Sequence, residues 1–113
     1  MFEILEYITE DGKRPFADWL LNLKDKSVQV KIRARIARAS LGNFGDWKSL
    51  ENTNGLYEMR VHYGAGFRVF YKLVGNKVVL LLAGSTKDDQ NRTIAKAKEY
   101  LADYERRTTY DKR

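Results

Sequence analysis

The sequence predicts one α+β domain in which helices pack on a mainly antiparallel sheet, in the order β-α-α-β-β-β-α. Three observations carry this prediction. Apolar residues alternate on both sides of residues 64–66, which indicates a β-hairpin. A continuous apolar run at residues 78–83 indicates a strand covered on both faces. Three further segments carry apolar residues at helical spacing.

Length and composition favour a single folded unit over residues 1–113, with one two-layer core. Hydrophobic residues make up 43% of the chain, too many for a disordered segment. The longest apolar run is too short to cross a bilayer, and the acidic start does not resemble a signal peptide. We therefore expect a cytoplasmic protein without a membrane partner. The absence of cysteine excludes disulfides and thiolate metal sites.

The first half of the chain predicts a strand and two helices, followed by a connection. Residues 2–8 alternate loosely, as in a strand, and Pro15 suits the first position of a helix. The apolar residues of this helix are Phe16, Trp19, Leu20 and Leu23. Ser27 is expected to cap the second helix, which ends at Gly42-Asn43. Its apolar stripe is formed by Val28, Ile32, Ile36 and Ala39. Residues 44–54 are expected to be irregular, with Trp47 and Leu50 turned inward.

The hairpin around Gly64-Ala65-Gly66 is predicted to have a three-residue loop, because glycine accepts a positive φ. If Tyr63 and Phe67 form the last pair before the loop, this pair sets the register of the two strands. It places His62 opposite Arg68, Arg60 opposite Phe70, and Glu58 opposite Lys72 as a surface ion pair.

Side chains alternate across a strand, so the predicted hairpin has one apolar and one polar face. The apolar face holds Tyr57, Met59, Val61, Tyr63, Phe67, Val69, Tyr71 and Leu73. The polar face holds Glu58, Arg60, His62, Arg68, Phe70 and Lys72. The net charge is +6, which favours a polyanion or an acidic protein as partner. A basic stripe on the second helix adds to this surface: Lys31, Arg35 and Arg38.

The rest of the chain predicts a strand at residues 77–83, a polar loop at 84–90 and a last helix. The buried side of that helix is marked by Ile94, Ala97, Leu101 and Tyr104. Residues from about 106 to 113 are expected to be frayed.

The element order and two motifs resemble the RelE/ParE toxin superfamily. The motifs are Gly55-Leu-Tyr-Glu-Met-Arg60 and Phe67-Arg-Val-Phe-Tyr71. Within that superfamily the chain is most similar to HigB-like addiction module killer proteins of bacterial toxin–antitoxin operons. The similarity also covers the early helix at Pro15-Phe-Ala-Asp-Trp19 and the segment Gly84-Ser-Thr-Lys87.

The resemblance implies a RelE-like fold and an endoribonuclease that cuts mRNA, usually on the ribosome. It implies no metal and no other cofactor. It also implies a cognate antitoxin, expected to be a helix-turn-helix protein encoded beside the toxin. The ParE-like branch implies a different activity, the inhibition of DNA gyrase. Both that alternative and a plain nucleic-acid-binding domain stay open.

Cleavage of RNA without a metal has three tasks: to stabilise charge on the phosphate, to accept the 2′-hydroxyl proton, and to protonate the leaving oxygen. Taken together with the resemblance, the residues expected to bind the phosphate and stabilise its charge are Arg60, Arg68 and the loop residue Lys87. His62, the only histidine, is the candidate for proton transfer. The expected RNA-binding residues are Lys31, Arg35, Arg38 and Phe70. Phe70 would stack on a base. The competing interpretation of Arg60 and Arg68 is that they are ordinary solvated strand residues or partners of Glu58, and Lys87 could be no more than a charge of the loop. For the basic stripe the competing interpretation is a solvated helix face, and for Phe70 it is a residue covered by the last helix.

Overall fold

A five-stranded sheet with helices on both faces forms the protein, in a computed structural model that describes residues 1–111. The elements are β1 (Glu3–Glu6), α1 (Pro15–Leu21), α2 (Lys26–Ser40), β2 (Trp47–Ser49), β3 (Tyr57–Val61), β4 (Phe67–Val74), β5 (Val78–Thr86) and α3 (Gln90–Asp111). A 3-10 turn at Lys87–Asp89 leads into α3. The predicted α+β class and the predicted order of helices and main strands are confirmed.

The strand order is β1-β5-β4-β3-β2. β1 runs parallel to β5, with Glu3 opposite Val78, and the other neighbours are antiparallel. β5 therefore lies inside the sheet, and both faces of it are covered, as its apolar run predicts. Helices α1 and α2 cover one face, around Ile32, Met59 and Val69. Helix α3 covers the other, where Ala97 and Leu101 belong to one cluster with four sheet residues, Phe70, Leu80, Leu82 and Ala83.

The hairpin of β3 and β4 has a register different from the predicted one. The last pair is Val61 with Phe67, and Arg60 lies opposite Arg68. Tyr63 leaves the ladder because its N–H donates to the Val61 carbonyl (3.1 Å) and its own carbonyl accepts from Gly66 (3.0 Å). The loop is therefore two residues longer than expected, at 62–66. Because the slip is an even number of residues, every strand side chain keeps its predicted face.

Two predictions about the first half are wrong in detail. The helix α2 is capped by Asp25, whose carboxylate accepts from the Ser27 N–H at 2.9 Å, and not by Ser27. Residues 44–54 contain the short edge strand β2, and Trp47 in it is 50% exposed instead of turned inward. Trp47 contacts Tyr57 edge to face. Leu50 does pack inward, against the cluster under α3.

The ends of β5 and α3 extend beyond their predicted limits. Residues 84–86, expected in a loop, continue β5 because they pair with β4, where Gly84 lies opposite Val69. Trp19 lies directly on Gly84, so closely that a Cβ there would be 2.2 Å from the ring. Helix α3 continues to Asp111, past the predicted fraying point at 106. Residues 112 and 113, also predicted to fray, lie outside the described residues.

A polar cluster fastens α3 to the end of β1. The Tyr7 hydroxyl donates to Asp103 (2.6 Å), and Arg107 pairs with the same carboxylate (2.8 Å) and donates to the Ile8 carbonyl (2.5 Å). Burial, followed by the hydrogen bond to Asp103, raises the pKa of Tyr7 to about 12.

Within residues 1–111, no helix combines the length and the apolar composition that crossing a membrane requires.

Candidate functional site

The two motif arginines converge on one buried carboxylate. Glu58 is 1% exposed, and its Oε2 lies 3.0 Å from Arg60 Nε while its Oε1 lies 3.4 Å from Arg68 Nε. The observed register explains this, because Arg60 and Arg68 are cross-strand neighbours and Glu58 shares their face. The predicted ion pair of Glu58 with Lys72 is wrong. Lys72 binds the Asn54 carbonyl (2.7 Å) and lies 3.7 Å from a carboxylate of α3.

Arg68 is buried, contrary to the expectation of a solvent-facing strand residue. It is 7% exposed, because α3 begins over this part of the sheet. Its Nε donates to Gln90 Oε1 at 3.3 Å, and its Nη1 donates to the Phe67 carbonyl at 3.4 Å. The same helix covers Phe70 completely, so the predicted stacking platform is wrong and the alternative of a covered Phe70 is right.

The loop of the hairpin carries His62, which does not lie opposite Arg68. Its Nε2 lies 2.5 Å from Asp46 Oδ2, and its side chain is 67% exposed. The hydrogen bond to His62 holds the pKa of the Asp46 carboxyl below its usual value. The Asp46 carbonyl also accepts from the Arg60 N–H at 2.9 Å. Sequence reasoning missed Asp46, because it lies in the connection before β2 and in no recognisable motif.

The basic stripe of α2 divides into one bracing residue and two exposed ones. Arg35 donates to three carbonyls, those of Arg60 (2.5 Å), Phe44 (3.1 Å) and Asp46 (3.5 Å). Its partial burial lowers its pKa from the ordinary value. It therefore holds the Asp46 segment against the end of β3. Lys31 and Arg38 are exposed.

Two open grooves border the hairpin loop, and both are lined by His62 and Tyr63. The first, here called the loop groove, has a volume of about 380 Å³ and also contains Arg68, Lys87 and the loop glycines. Lys87 is exposed, and its N–H donates to the Gly66 carbonyl at 3.1 Å. The second, the helix groove, has a volume of about 370 Å³. It is lined by Lys31, Ala34, Arg35, Arg38 and Val61.

The arrangement offers cations for an anionic ligand and one histidine whose ring is held by a carboxylate. In the loop groove, Arg68 and Lys87 supply positive charge beside His62. In the helix groove, Lys31 lies 4.6 Å from the centre of the Tyr63 ring. Among residues 1–109, whose side chains the structure describes, no group of three His, Cys, Asp or Glu side chains could hold a metal ion. Of the predicted site residues, the structure brings together Arg68, His62 and Lys87 in one groove and Lys31, Arg35 and Arg38 in the next.

Comparison with known proteins gives a family for the chain. Residues 18–104 match the family described as phage derived protein Gp49-like (DUF891). The chain is 42% identical over 83 residues to an uncharacterised protein of Haemophilus influenzae (strain ATCC 51907 / DSM 11121 / KW20 / Rd). That match covers 74% of this chain and 82% of the relative. The Gp49-like family is of RelE-like type and is associated with the toxins of toxin–antitoxin systems. The residues matched to the family include every side chain of both grooves, and the chain belongs to the Gp49-like (DUF891) family of phage-derived proteins.

Proposed function

We propose that this protein is a HigB-like toxin that cleaves mRNA on the ribosome, in the cytoplasm, without a metal ion. Membership of a toxin-associated family supports the toxin role. The observation that carries the nuclease activity is the loop groove, in which Arg68 and Lys87 lie beside a histidine held by a carboxylate.

In the proposed reaction the 2′-hydroxyl oxygen attacks the adjacent phosphorus, and the bond from phosphorus to the 5′-oxygen breaks. His62 accepts the 2′-hydroxyl proton. Asp46 binds Nε2, so that Nδ1 is left for the substrate, and its negative charge stabilises the imidazolium that forms. Arg68 and Lys87 stabilise the charge that develops on the phosphate oxygens. The leaving 5′-oxygen takes a proton from water, and His62 later gives its proton to the solvent, so that the products are a 2′,3′-cyclic phosphate and a 5′-hydroxyl.

The buried carboxylate of Glu58 gives Arg68 a fixed position before RNA binds. A guanidinium already held by Glu58 and Gln90 loses little freedom when it meets a phosphate. In this scheme Arg60 acts through Glu58, because the pair lies beside the groove and Arg60 does not line it. The helix groove, with Lys31 and Arg38, would contact the RNA backbone beyond the cleaved bond.

One observation favours a second candidate, a ParE-like inhibitor of DNA gyrase without catalysis. The charge of Glu58 neutralises part of the charge of Arg60 and Arg68, and this leaves a weaker cationic field than two free arginines would produce. Induction of the protein separates the two functions. A nuclease produces new mRNA 5′ ends within minutes, mapped by primer extension, and leaves DNA supercoiling normal. Intact mRNA together with DNA breaks would assign the protein to the gyrase class.

Variants of the loop groove test the assigned residues. Arg68→Ala is unsuitable, because it would leave the buried Glu58 with Arg60 alone and destabilise the fold. Arg68→Lys keeps the charge but loses the planar fork, and we expect a loss of about 10²–10³ in cleavage rate. His62→Gln and Lys87→Gln should also reduce cleavage. The matched control is Lys98→Gln, an exposed lysine of α3, which should cleave like the wild type. Full activity in all three groove variants at equal expression would show that the site lies elsewhere.

A further inference from the structure

Trp47 in the edge strand β2 is the one exposed aromatic side chain among residues 1–109, whose side chains the structure describes. It is 50% exposed, whereas the other aromatic rings in that range are buried or partly buried. None of the other exposed large apolar side chains there belongs to β2, β3, β4 or β5. A single exposed apolar side chain is ordinary. Three features of its surroundings distinguish Trp47.

The first feature is a row of aromatic rings that holds Trp47 in place. Its ring meets Tyr57 edge to face, with centroids 5.6 Å apart and an interplanar angle of 69°. Tyr57 stacks on the buried Tyr71 at 5.6 Å, and Tyr71 stacks on Phe44 at 5.7 Å. The row therefore extends from the core to the indole at the edge of the sheet. A ring fixed in this way loses little freedom when a flat ligand stacks on it.

The second feature is the open edge of β2, which supplies backbone groups beside the indole. Asp46 and Leu50, on either side of β2, form backbone hydrogen bonds to the chain at β3. In an antiparallel ladder these bonds come from alternate residues, so that the N–H and C=O groups of Trp47 and Ser49 point away from the sheet. They lie on the same edge as the indole and are available to a polar ligand.

The third feature is the helix groove, whose lining residues contact the residue before Trp47. The Asp46 carbonyl accepts from Arg35 at 3.5 Å, and the Asp46 carboxylate lies 2.5 Å from His62. Arg35 and His62 both line the helix groove. The exposed cations of the same groove are Lys31 and Arg38. A polyanion in the helix groove therefore passes close to the indole.

We propose that Trp47 forms a base-stacking site for single-stranded RNA, in which one unpaired base lies on the indole and nearby phosphates lie on the cations of the helix groove. This site rests on the proposed function, because its ligand is the substrate of the nuclease. The stacking platform expected at Phe70 is covered by α3, and Trp47 supplies an exposed ring in its place. Since every base has a flat aromatic face, such a site fixes the path of the strand and does not read its sequence.

The surroundings of Trp47 favour RNA over a protein partner. The next residues on the edge, Lys48 and Ser49, are polar and exposed, whereas the core of a protein interface is a cluster of apolar side chains. Addition of a strand from another protein is also disfavoured. Strand β2 has three residues and carries a lysine, and both features are ones by which proteins prevent pairing at a sheet edge.

Binding of an RNA that cannot be cleaved tests the site. The probe is a single strand of about 10 nucleotides, a length within the range of single-strand binding sites. Its riboses are 2′-O-methylated, so that no 2′-hydroxyl can attack a phosphate. A second probe has the same number of phosphates but abasic residues throughout. Fluorescence anisotropy measures the affinity of the full chain for both probes, and tryptophan emission reports stacking.

The protein variants are Trp47→Ala and Trp47→Phe. The matched control is Leu21→Ala, which removes another exposed apolar side chain, on α1. Circular dichroism verifies that all three variants are folded.

We expect Trp47→Ala to weaken binding of the RNA at least about tenfold and to leave that of the abasic strand within about twofold. Trp47→Phe keeps an aromatic face, so its affinity for RNA should stay within about threefold of the wild type. RNA should quench the emission of the wild type. This quenching should be absent in Trp47→Phe, because the remaining Trp19 lies against Gly84. Leu21→Ala should bind both probes like the wild type.

Equal affinity of wild type and Trp47→Ala for the RNA, or an equal loss for both probes, would overturn the site. So would a dimer that dissociates in Trp47→Ala, since the edge would then join two copies of the chain. A wild type that cleaves mRNA in cells but does not bind the probe removes the site and keeps the proposed function. Binding of RNA that depends on Trp47, in a protein that does not cleave it, keeps the site and removes the nuclease.

Discussion

Replacement of Glu58 by glutamine should destabilise the protein strongly, because it leaves a buried cation without its counter-charge. The Arg60 side chain is 32% exposed and can turn toward water, whereas Arg68 is 8% exposed and cannot. Removing one partner of a buried ion pair costs about 3–5 kcal/mol. Since Gln90 and the Phe67 carbonyl still bind Arg68, we expect the lower figure of about 3 kcal/mol. For a domain of this size, that loss lowers Tm by about 13 °C.

Urea unfolding followed by tryptophan fluorescence measures the loss. The control is Glu105→Gln, because Glu105 lies 3.7 Å from Lys72 in a pair whose side chains are 40% and 23% exposed. That variant should lose less than about 1 kcal/mol. The double variant Glu58→Gln/Arg68→Met should be more stable than Glu58→Gln alone, since no unpaired buried charge remains. Equal losses for Glu58→Gln and Glu105→Gln would refute this reasoning.

Three further predictions concern the packing of the helices. Gly84→Ala should lower the free energy of unfolding by at least about 1–3 kcal/mol and shift the tryptophan emission, because the new Cβ would lie 2.2 Å from the Trp19 ring. An unchanged urea midpoint would contradict this contact. Asp25→Ala should lower the free energy of unfolding by about 1 kcal/mol because α2 loses its N-cap, while Asp25→Asn should retain most of the stabilisation that the cap gives. An equal loss in both variants would show that the cap is not the cause. The pKa of Asp103 is lowered, first by its hydrogen bond from Tyr7, so its stabilising effect is present above the unfolded-state pKa and is lost as the pH falls through the folded-state value. The difference in urea midpoint between wild type and Asp103→Asn should therefore shrink between pH 6 and pH 2, and a constant difference would contradict the linkage.

The parts of the fold that follow from periodicity were predictable, whereas those that depend on a distant partner were not. The alternation in β3 and β4 and the apolar run in β5 gave the correct faces and the correct inner strand. The short strand β2 has no pattern of its own and forms because β3 offers an edge to pair with. Residues 84–86 look polar and loop-like, yet they extend β5 because β4 supplies hydrogen bonds there.

In the candidate site, too, the features that follow from strand alternation were predictable and those that depend on distant contacts were not. Arg60 and Arg68 were expected on one face and do meet, since alternation alone places them there. Their burial was not predicted, because it depends on where α3 crosses the sheet, and this crossing also removes Phe70 from solvent. Asp46 reaches His62 only because Arg35 holds its segment against β3, and no local pattern encodes that contact.

The parallel pairing of β1 with β5 has a consequence for how the chain is made. The partner of Glu3 is Val78, so the first strand leaves the ribosome long before its only neighbour in the sheet exists. At a synthesis rate of about 5–20 residues per second, the interval is about 4–15 s. During that time β1 is an unpaired segment, and Arg68 lacks Gln90, which follows later still. The nascent chain is thus without a completed groove until most of it has been synthesised, and the proposed cleavage would begin only when synthesis is nearly finished.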